Sequence, residues 1–328
     1  MSTPQRSEPA RRYHAHPHDA VVAIRQEVAR VVVGQDGVVS GVLTALLVGG
    51  HVLLEGVPGV AKTLLVKTLA ATVDLDFKRL QFTPDLMPSD VIGQLIYEQR
   101  GGTFRFREGP VFTNFLLADE INRTPPKTQS ALLEAMEERQ VTVDGEPRPL
   151  PRPFIVCATE NPIEYEGTYP LPEAQLDRFL FKLLVPYPSA DQENQIVARH
   201  DEGFDPHQLS TTLEQVAGPG DIDAARAEID AIRVDPAVRQ YIVSLARATR
   251  DSPSVSLGVS PRGATMLLRA AKAWAWLSGR PYVTPDEVKA MAKATFRHRI
   301  GLRPEAELEG VTSDRVLDSL LAAVPVPR

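Results

Sequence analysis

Cys157 is the only cysteine in the sequence, so no intrachain disulfide can hold the fold together. Positive charge is not in excess either: 36 Lys and Arg stand against 42 Asp and Glu, a net charge of −6. Bulk electrostatics therefore favour neither nucleic acid nor an anionic membrane surface, although a local basic patch is compatible with this balance. A long apolar run is missing as well. The uncharged stretch Gly37–Leu54 contains Ser40, Thr44 and His51 and is broken at Gly49-Gly50. It reads as a helix, a tight turn and a buried strand rather than a membrane span. Met1–Asp19 is polar with no apolar core, so no secretory signal peptide is expected there and the expected setting is the cytoplasm.

What is present is ordinary globular composition, with 43% apolar and 24% charged residues in 328. At ~150 residues per domain this length suggests two domains or three. Residues 1–18 read as a flexible tail. His14, His16 and His18 alternate in it with a spacing that could hold a metal, though a solvated tail is the simpler reading. Apolar residues then recur at helical spacing over Val21–Val33 and Val38–Val48. Five apolar runs follow that read as strands: His51–Glu55, Phe77–Phe82, Asn114–Glu120, Phe154–Thr159 and Phe179–Val185. Helical segments lie between them, so the fold expected over residues 19–188 is α/β, a parallel five-stranded sheet covered on both faces. Two stretches break the alternation and read as β-hairpins: Leu95–Val111 around Gly101-Gly102, and Val141–Phe154 around Asp144-Gly145. Pro147, Pro149, Pro151 and Pro153 exclude the second from a central position in a sheet. Beyond Pro188 no further buried strand is evident. Residues 189–328 are expected to form an all-helical domain, with helix starts marked by Asp235-Pro236, Ser260-Pro261 and Thr284-Pro285.

The chemistry concentrates around Gly56, Val57, Pro58, Gly59, Val60, Ala61, Lys62 and Thr63. This glycine-containing loop lies between a strand and a helix, where backbone N–H groups and a helix N-terminus can converge on phosphate. Lys62 can reach the β- and γ-phosphates, and the Thr63 hydroxyl can bind Mg2+. Ala61 stands where a glycine is usual, adding little bulk. Asp119 and Glu120 end the third strand. The first can hold Mg2+, and the second can orient and deprotonate a water attacking the γ-phosphate. That glutamate points to a hydrolase rather than a kinase. Asn161 follows the fourth strand and could position the same water, or simply form an Asn-Pro turn. Arg178 precedes the fifth strand, with a local pair to Asp177 as its plainer reading. Arg262 opens a helix after Ser260-Pro261, where it could equally be solvated. No guanine-selective string is present, so ATP is the default nucleotide.

The strings GVPGVAKT (56–63), LQFTPDLMPSD (80–90), LLADEINRTPPKTQSALLEAMEE (116–138), ATENP (158–162), TYPLPEAQLDRF (168–179) and VSPRGATMLL (259–268) make the chain resemble the MoxR family of AAA+ ATPases over about residues 20–320. In that family Ala61 is normal. The resemblance implies an AAA+ core with a helical lid and an adenine site near Val33, Gly34 and Gln35. It implies a nucleotide site extending through the loop to Leu64, with Lys62, Thr63 and Asp119 on phosphate and Mg2+ and Glu120 as catalytic base. It makes Asn161 a first sensor, Arg178 an arginine finger and Arg262 a second sensor, and it makes the hairpins client-facing inserts. It further implies a homo-oligomer, a hexameric ring, acting as a chaperone-like remodeller of protein clients, in some cases with a von Willebrand factor A domain partner. The rival class is a nucleic-acid motor or loader, for which Arg100, Arg105 and Arg107 on the first hairpin, against Glu98 and Glu108, are a thin basis. A slow nucleotide-dependent scaffold is the third class, against which the intact Asp119-Glu120 and Arg178 argue.

Overall fold

Strand β1 (Val52–Glu55) is apolar up to its last residue because both of its faces are covered, and Val52, Leu53 and Leu54 are fully buried. In the computed structural model, which describes residues 13–99, 102–162, 167–206, 208 and 213–327, β1 lies inside a parallel sheet. Its companions are β2 (Phe77–Gln81), β5 (Phe115–Asp119), β8 (Ile155–Glu160) and β9 (Phe181–Leu184), in the order β2-β5-β8-β1-β9. All four pairings are parallel. The C-terminal ends of β1, β5 and β8 therefore lie side by side, and the loops leaving them form one rim, where open α/β sheets bind ligands.

The two expected hairpins stand outside this sheet. One pairs β3 (Gly93–Glu98) with β4 (Thr103–Glu108), and the other pairs β6 (Gln140–Val143) with β7 (Glu146–Pro149). Asp144 and Gly145 turn the second with φ of 55° and 78°, the left-handed pair that a two-residue hairpin needs. Of the first turn, Gly102 is described, while Arg100 and Gly101 lie outside the described residues. The hairpins touch: the Arg148 guanidinium lies 4.1 Å above the Phe106 ring. Tyr97 and Phe104 pair at 5.3 Å between ring centroids and face outward, Phe104 being 70% exposed.

Helix α1 spans Pro17–Ala29 and α2 spans Asp36–Val48. Every residue of α2 from Val38 to Val48 is buried. This explains the uncharged stretch: α2 is enclosed on all sides by the sheet and by later helices. Helices at Ala190–Asp201, Pro219–Ala231, Pro236–Asp251, Pro261–Leu277 and Pro285–Phe296 follow. Asp235, Ser260 and Thr284 cap three of them with their side chains, as their sequence positions predict.

Three differences from the sequence reading stand out. Of the expected tail, residues 1–12 lie outside the described residues, and residues 13–18 are not a loose tail, because α1 begins at Pro17 and the segment 13–16 is anchored. The Tyr13 amide donates to Asp221 Oδ2 at 2.9 Å, and His14 Nε2 lies 2.8 Å from the Val216 carbonyl. His18 packs edge-on against Trp276, so His14 and His18 go to separate partners, and no cluster of metal-holding side chains occurs among the described residues. The C-terminal region also carries two short strand pairs, Arg233–Val234 with Tyr282–Val283 and Val255–Leu257 with Gly301–Leu302, beside its helices. Finally, residue 188 marks no break in packing, since one buried cluster runs from Ala20 through Leu46 and Leu69 to Leu267 and Phe296. The all-round apolar α2 needs partners from both halves of the chain.

Candidate active site

The loop Gly56–Ala61 leaves β1 and enters α3 (Lys62–Thr72). Gly56 has no room for a side chain, since a Cβ there would lie 2.7 Å from the Val185 carbonyl oxygen. Ala61 caps α3 with φ 61°, ψ 24°, a left-handed conformation that costs an L-residue about 1 kcal/mol and that turns the loop back over the helix N-terminus. Lys62 Nζ donates to the Gly56 carbonyl at 2.5 Å and to the Glu160 carbonyl at 3.1 Å. Its ammonium is thereby held across the ends of β1 and β8. Burial lowers its pKa, opposed by the nearby carboxylates of Asp119 and Glu120.

Asp119 and Glu120 emerge beside this loop because β5 is two strands from β1, with β8 between them. Asp119 is buried and densely held. Thr63 Oγ1 donates to its Oδ2 at 3.3 Å, Thr159 Oγ1 to its Oδ1 at 2.6 Å, and Arg79 to Oδ2 through Nε at 3.0 Å and a terminal nitrogen at 2.7 Å. Glu120 takes φ 59°, ψ 50°, a strained turn of the kind found at functional positions. Its carboxylate receives the Gln81 amide at 2.7 Å and pairs with Arg123 Nε at 3.1 Å. Asn161, directly after β8, is buried at the same rim. Thr63 and Asp119 present a hydroxyl and a carboxylate beside a phosphate-type loop, hard oxygen donors of the kind Mg2+ takes together with phosphate oxygens and water.

Next to the loop is a cavity of about 190 Å3. Val33, Gln35, Gly59, Val60, Ala61 and Leu64 line it, as expected, and so do Pro188, Ile196, Arg199, His200 and Phe204. Val57, Pro58 and Gly34 do not line it. Gln35 Nε2 donates to the Pro186 carbonyl at 3.1 Å, closing one side. The helix Ala190–Asp201 thus completes a mostly apolar pocket whose other walls are the segment before α2 and the phosphate-type loop.

Beneath the loop, Lys182 Nζ lies 2.5 Å from Glu55 Oε2 and 3.2 Å from Glu160 Oε1. Burial opposes the Lys182 charge, but the two carboxylates outweigh it and hold its pKa above the ordinary value. Glu55 and Glu160 are register neighbours on β1 and β8. Burial resists the charge on Glu55, but Lys182 holds its pKa low; burial and the adjacent Glu55 raise that of Glu160.

Arg178 and Arg262 are elsewhere. Both line a cavity of about 280 Å3 with Gly49, Gly50 and His51, residues that precede β1 and so lie at the end of the sheet opposite the glycine loop. Asp177 is taken by Arg299 at 2.7 Å, so the local pair considered for Arg178 does not form. Arg178 Nε instead meets Glu137 Oε2 at 3.0 Å, and Arg262 meets Glu137 Oε1 at 2.9 Å. The structure therefore brings together Lys62, Thr63, Asp119, Glu120 and Asn161, and separately Arg178 and Arg262.

Sequence reading missed Arg79, Gln81, Thr159, Glu137 and the Lys182 triad. A signal existed for the first two. Residues i and i+2 of a strand share a face, and β2 lies against the acidic strand with Gln81 opposite Asp119.

A parallel sheet that ends in a glycine loop, with an Asp-Glu pair two strands away and a helical region behind it, is the architecture of an AAA+ ATPase. The ATPase family associated with various cellular activities (AAA) matches residues 51–181, and the AAA lid domain matches residues 247–320. The chain is 49% identical over 315 residues to the uncharacterized protein YeaC of Bacillus subtilis, covering 96% of this chain and 97% of that one. It is 45% identical over 311 residues to the chaperone MoxR1 of Mycobacterium tuberculosis, covering 92% and 81%. A crystal structure from Cytophaga hutchinsonii superposes with TM-score 0.87 at 42% identity, covering 95% and 96%. The chain belongs to the MoxR family of AAA+ ATPases, whose membership implies nucleotide binding. No helix among the described residues is long and apolar enough to cross a membrane.

Proposed function

We propose that this protein hydrolyses Mg·ATP in a homo-oligomeric ring, a hexamer, and uses the cycle to remodel or mature protein clients in the cytoplasm. The observation that carries the reading is the convergence of Lys62, Thr63, Asp119 and Glu120 on one rim, with the Thr63 hydroxyl 3.3 Å from Asp119. The adenine enters the cavity between Val33–Gln35 and Phe204. The triphosphate lies along Gly56–Thr63, where backbone N–H groups and Lys62 neutralise it. Mg2+, when bound at Thr63 and Asp119, supplies further neutralisation of the β- and γ-oxygens. Glu120, held by Gln81 and Arg123, takes a proton from the attacking water, and Asn161 orients that water. Arg178 and Arg262, at the opposite end of the sheet, reach the γ-phosphate of the adjacent protomer and offset charge that develops during transfer.

The client reading is supported by the name of the chaperone relative and by the outward-facing Tyr97 and Phe104 of the first hairpin. A von Willebrand factor A domain protein is the proposed adaptor. The test is Glu120→Gln. It should retain ATP affinity and lose turnover by about two to four orders of magnitude, the worth of general-base help. Turnover at the parent rate would remove Glu120 from the role of base. Capture of a client by the ATP-trapped variant would then identify what the ring acts on.

A further inference from the structure

The cavity that holds Arg178 and Arg262 has four arginines in its walls, Arg139 and Arg269 being the others, and one acid, Glu137. His51, which also faces it, is neutral, since burial pulls its pKa down to about 4. Two of the arginines are committed to the C-terminal end of α2. Arg139 donates to the Gly49 carbonyl at 3.2 Å, and Arg269 donates to the Val48 carbonyl. Among the described residues Glu137 is thus the single anion that serves the remaining two.

Its carboxylate is divided evenly. Oε2 receives Arg178 through Nε, and Oε1 receives Arg262 through one terminal nitrogen. The three side chains come from unrelated parts of the fold: the last turn of α4 (Pro126–Glu138), the turn before β9, and the first turn of the helix Pro261–Leu277. All three are partly exposed, at 36%, 29% and 38% for Glu137, Arg178 and Arg262. Each guanidinium engages Glu137 through one nitrogen, which leaves the rest of its fork of donors for a second anion. Without the shared carboxylate, two like charges would face each other across a cavity and separate.

We propose that Glu137 is a positioning residue that joins Arg178 and Arg262 into one two-arginine clamp for the triphosphate of the adjacent protomer. The inference rests on the trans reading of these arginines given above. Glu137 acts on neither the nucleotide nor the attacking water directly. It sets the spacing of the two cations that do, and so couples the core, through Arg178, to the helical region, through Arg262.

The test is steady-state ATP hydrolysis by Glu137→Gln, which keeps the side-chain length and removes the charge, with Glu137→Asp as the conservative partner. Turnover of Glu137→Gln should fall roughly ten- to hundredfold, the scale of a misplaced catalytic group. KM for ATP and ring size should stay within about a factor of two, because the glycine loop is at the other end of the sheet. Glu137→Asp should recover part of the loss. In an Arg178→Ala background the same Glu137→Gln change should cost almost nothing more, since the clamp is already broken. Parent turnover in Glu137→Gln, or an equal loss in both backgrounds, would overturn the inference while Arg178→Ala and Arg262→Ala remain impaired. Parent turnover in those two arginine variants would instead overturn the reading of the site, and this inference with it.

Discussion

Thr159 Oγ1 donates to Asp119 Oδ1 at 2.6 Å and accepts the Glu120 amide at 2.9 Å. One buried hydroxyl on β8 therefore fixes both the carboxylate proposed for Mg2+ and the backbone of the proposed base. Thr159→Val keeps the shape and removes both bonds. It should destabilise the protein by about 1–3 kcal/mol, the cost of leaving buried polar groups unpaired. It should also lower turnover more than ATP affinity. Denaturant melts and initial rates check the two parts separately, and unchanged turnover in a destabilised variant would limit Thr159 to a packing role.

Arg178 lies at the far end of the sheet from the glycine loop, so its proposed target is the next protomer. Arg178→Ala should bind ATP almost normally and hydrolyse it about 10³–10⁵-fold more slowly, as arginine fingers generally do. Mixing it with Glu120→Gln should restore part of the activity, because some interfaces then pair an intact base with an intact finger. Full turnover by an isolated protomer that still depends on Arg178 would contradict action in trans.

Lys182 neutralises two neighbouring, partly buried carboxylates. Lys182→Met should leave Glu55 and Glu160 facing each other and cost about 1–3 kcal/mol, less than the loss of a fully buried pair because all three side chains keep some contact with solvent. ATP affinity should fall as well, since the Glu160 carbonyl also holds Lys62. Urea unfolding and nucleotide titration measure the two effects. A variant as stable as the parent would show that the triad adds nothing to the fold.

His51 is buried, accepts the Val156 amide at Nδ1 at 3.0 Å and lies 3.2 Å from the Met136 carbonyl at Nε2. These bonds require the neutral ring with its proton on Nε2. Burial, with Arg139, Arg262 and Arg269 nearby, lowers its pKa from 6.5 to about 4. Between those values the unfolded chain binds more protons than the folded protein, so stability rises with pH. The contribution is fully present above pH 6.5 and is lost on acidification toward about pH 4, on the order of 3 kcal/mol in all. His51→Gln should flatten this dependence in melts recorded across the range, and an unchanged slope would show that the proton is not taken up there.

The first hairpin is an insertion beyond the nucleotide-binding elements, with Phe104 exposed at its surface. Shortening it to a tight turn should leave ATP binding intact and abolish client stimulation of turnover. Loss of ATP binding in a folded deletion would make the hairpin part of the nucleotide site.

The sequence by itself determined the parts whose chemistry is written in contiguous residues. Gly56–Thr63 between an apolar run and a helix, Asp119-Glu120 at a strand end, and the helices that begin with Pro236, Pro261 and Pro285 behind a side-chain cap depend on local backbone preference and period, and these survive in one dimension. The uncharged Val38–Val48 announced a helix, although not its burial on all sides or the two sets of partners that bury it. Tertiary structure alone decided the rest. Lys182 reads as an ordinary strand residue until parallel pairing brings Glu55 and Glu160, on the two successive strands beside its own, within reach of its ammonium. His14 and His18 resemble a metal spacing until folding sends them to different neighbours. Arg178 stands beside Asp177 in the chain but pairs with Glu137, and Arg262 reaches the same carboxylate from 125 positions away. Adjacent side chains on a turn diverge while distant ones converge, and that convergence is set by strand order and helix packing, which no local pattern of residues records.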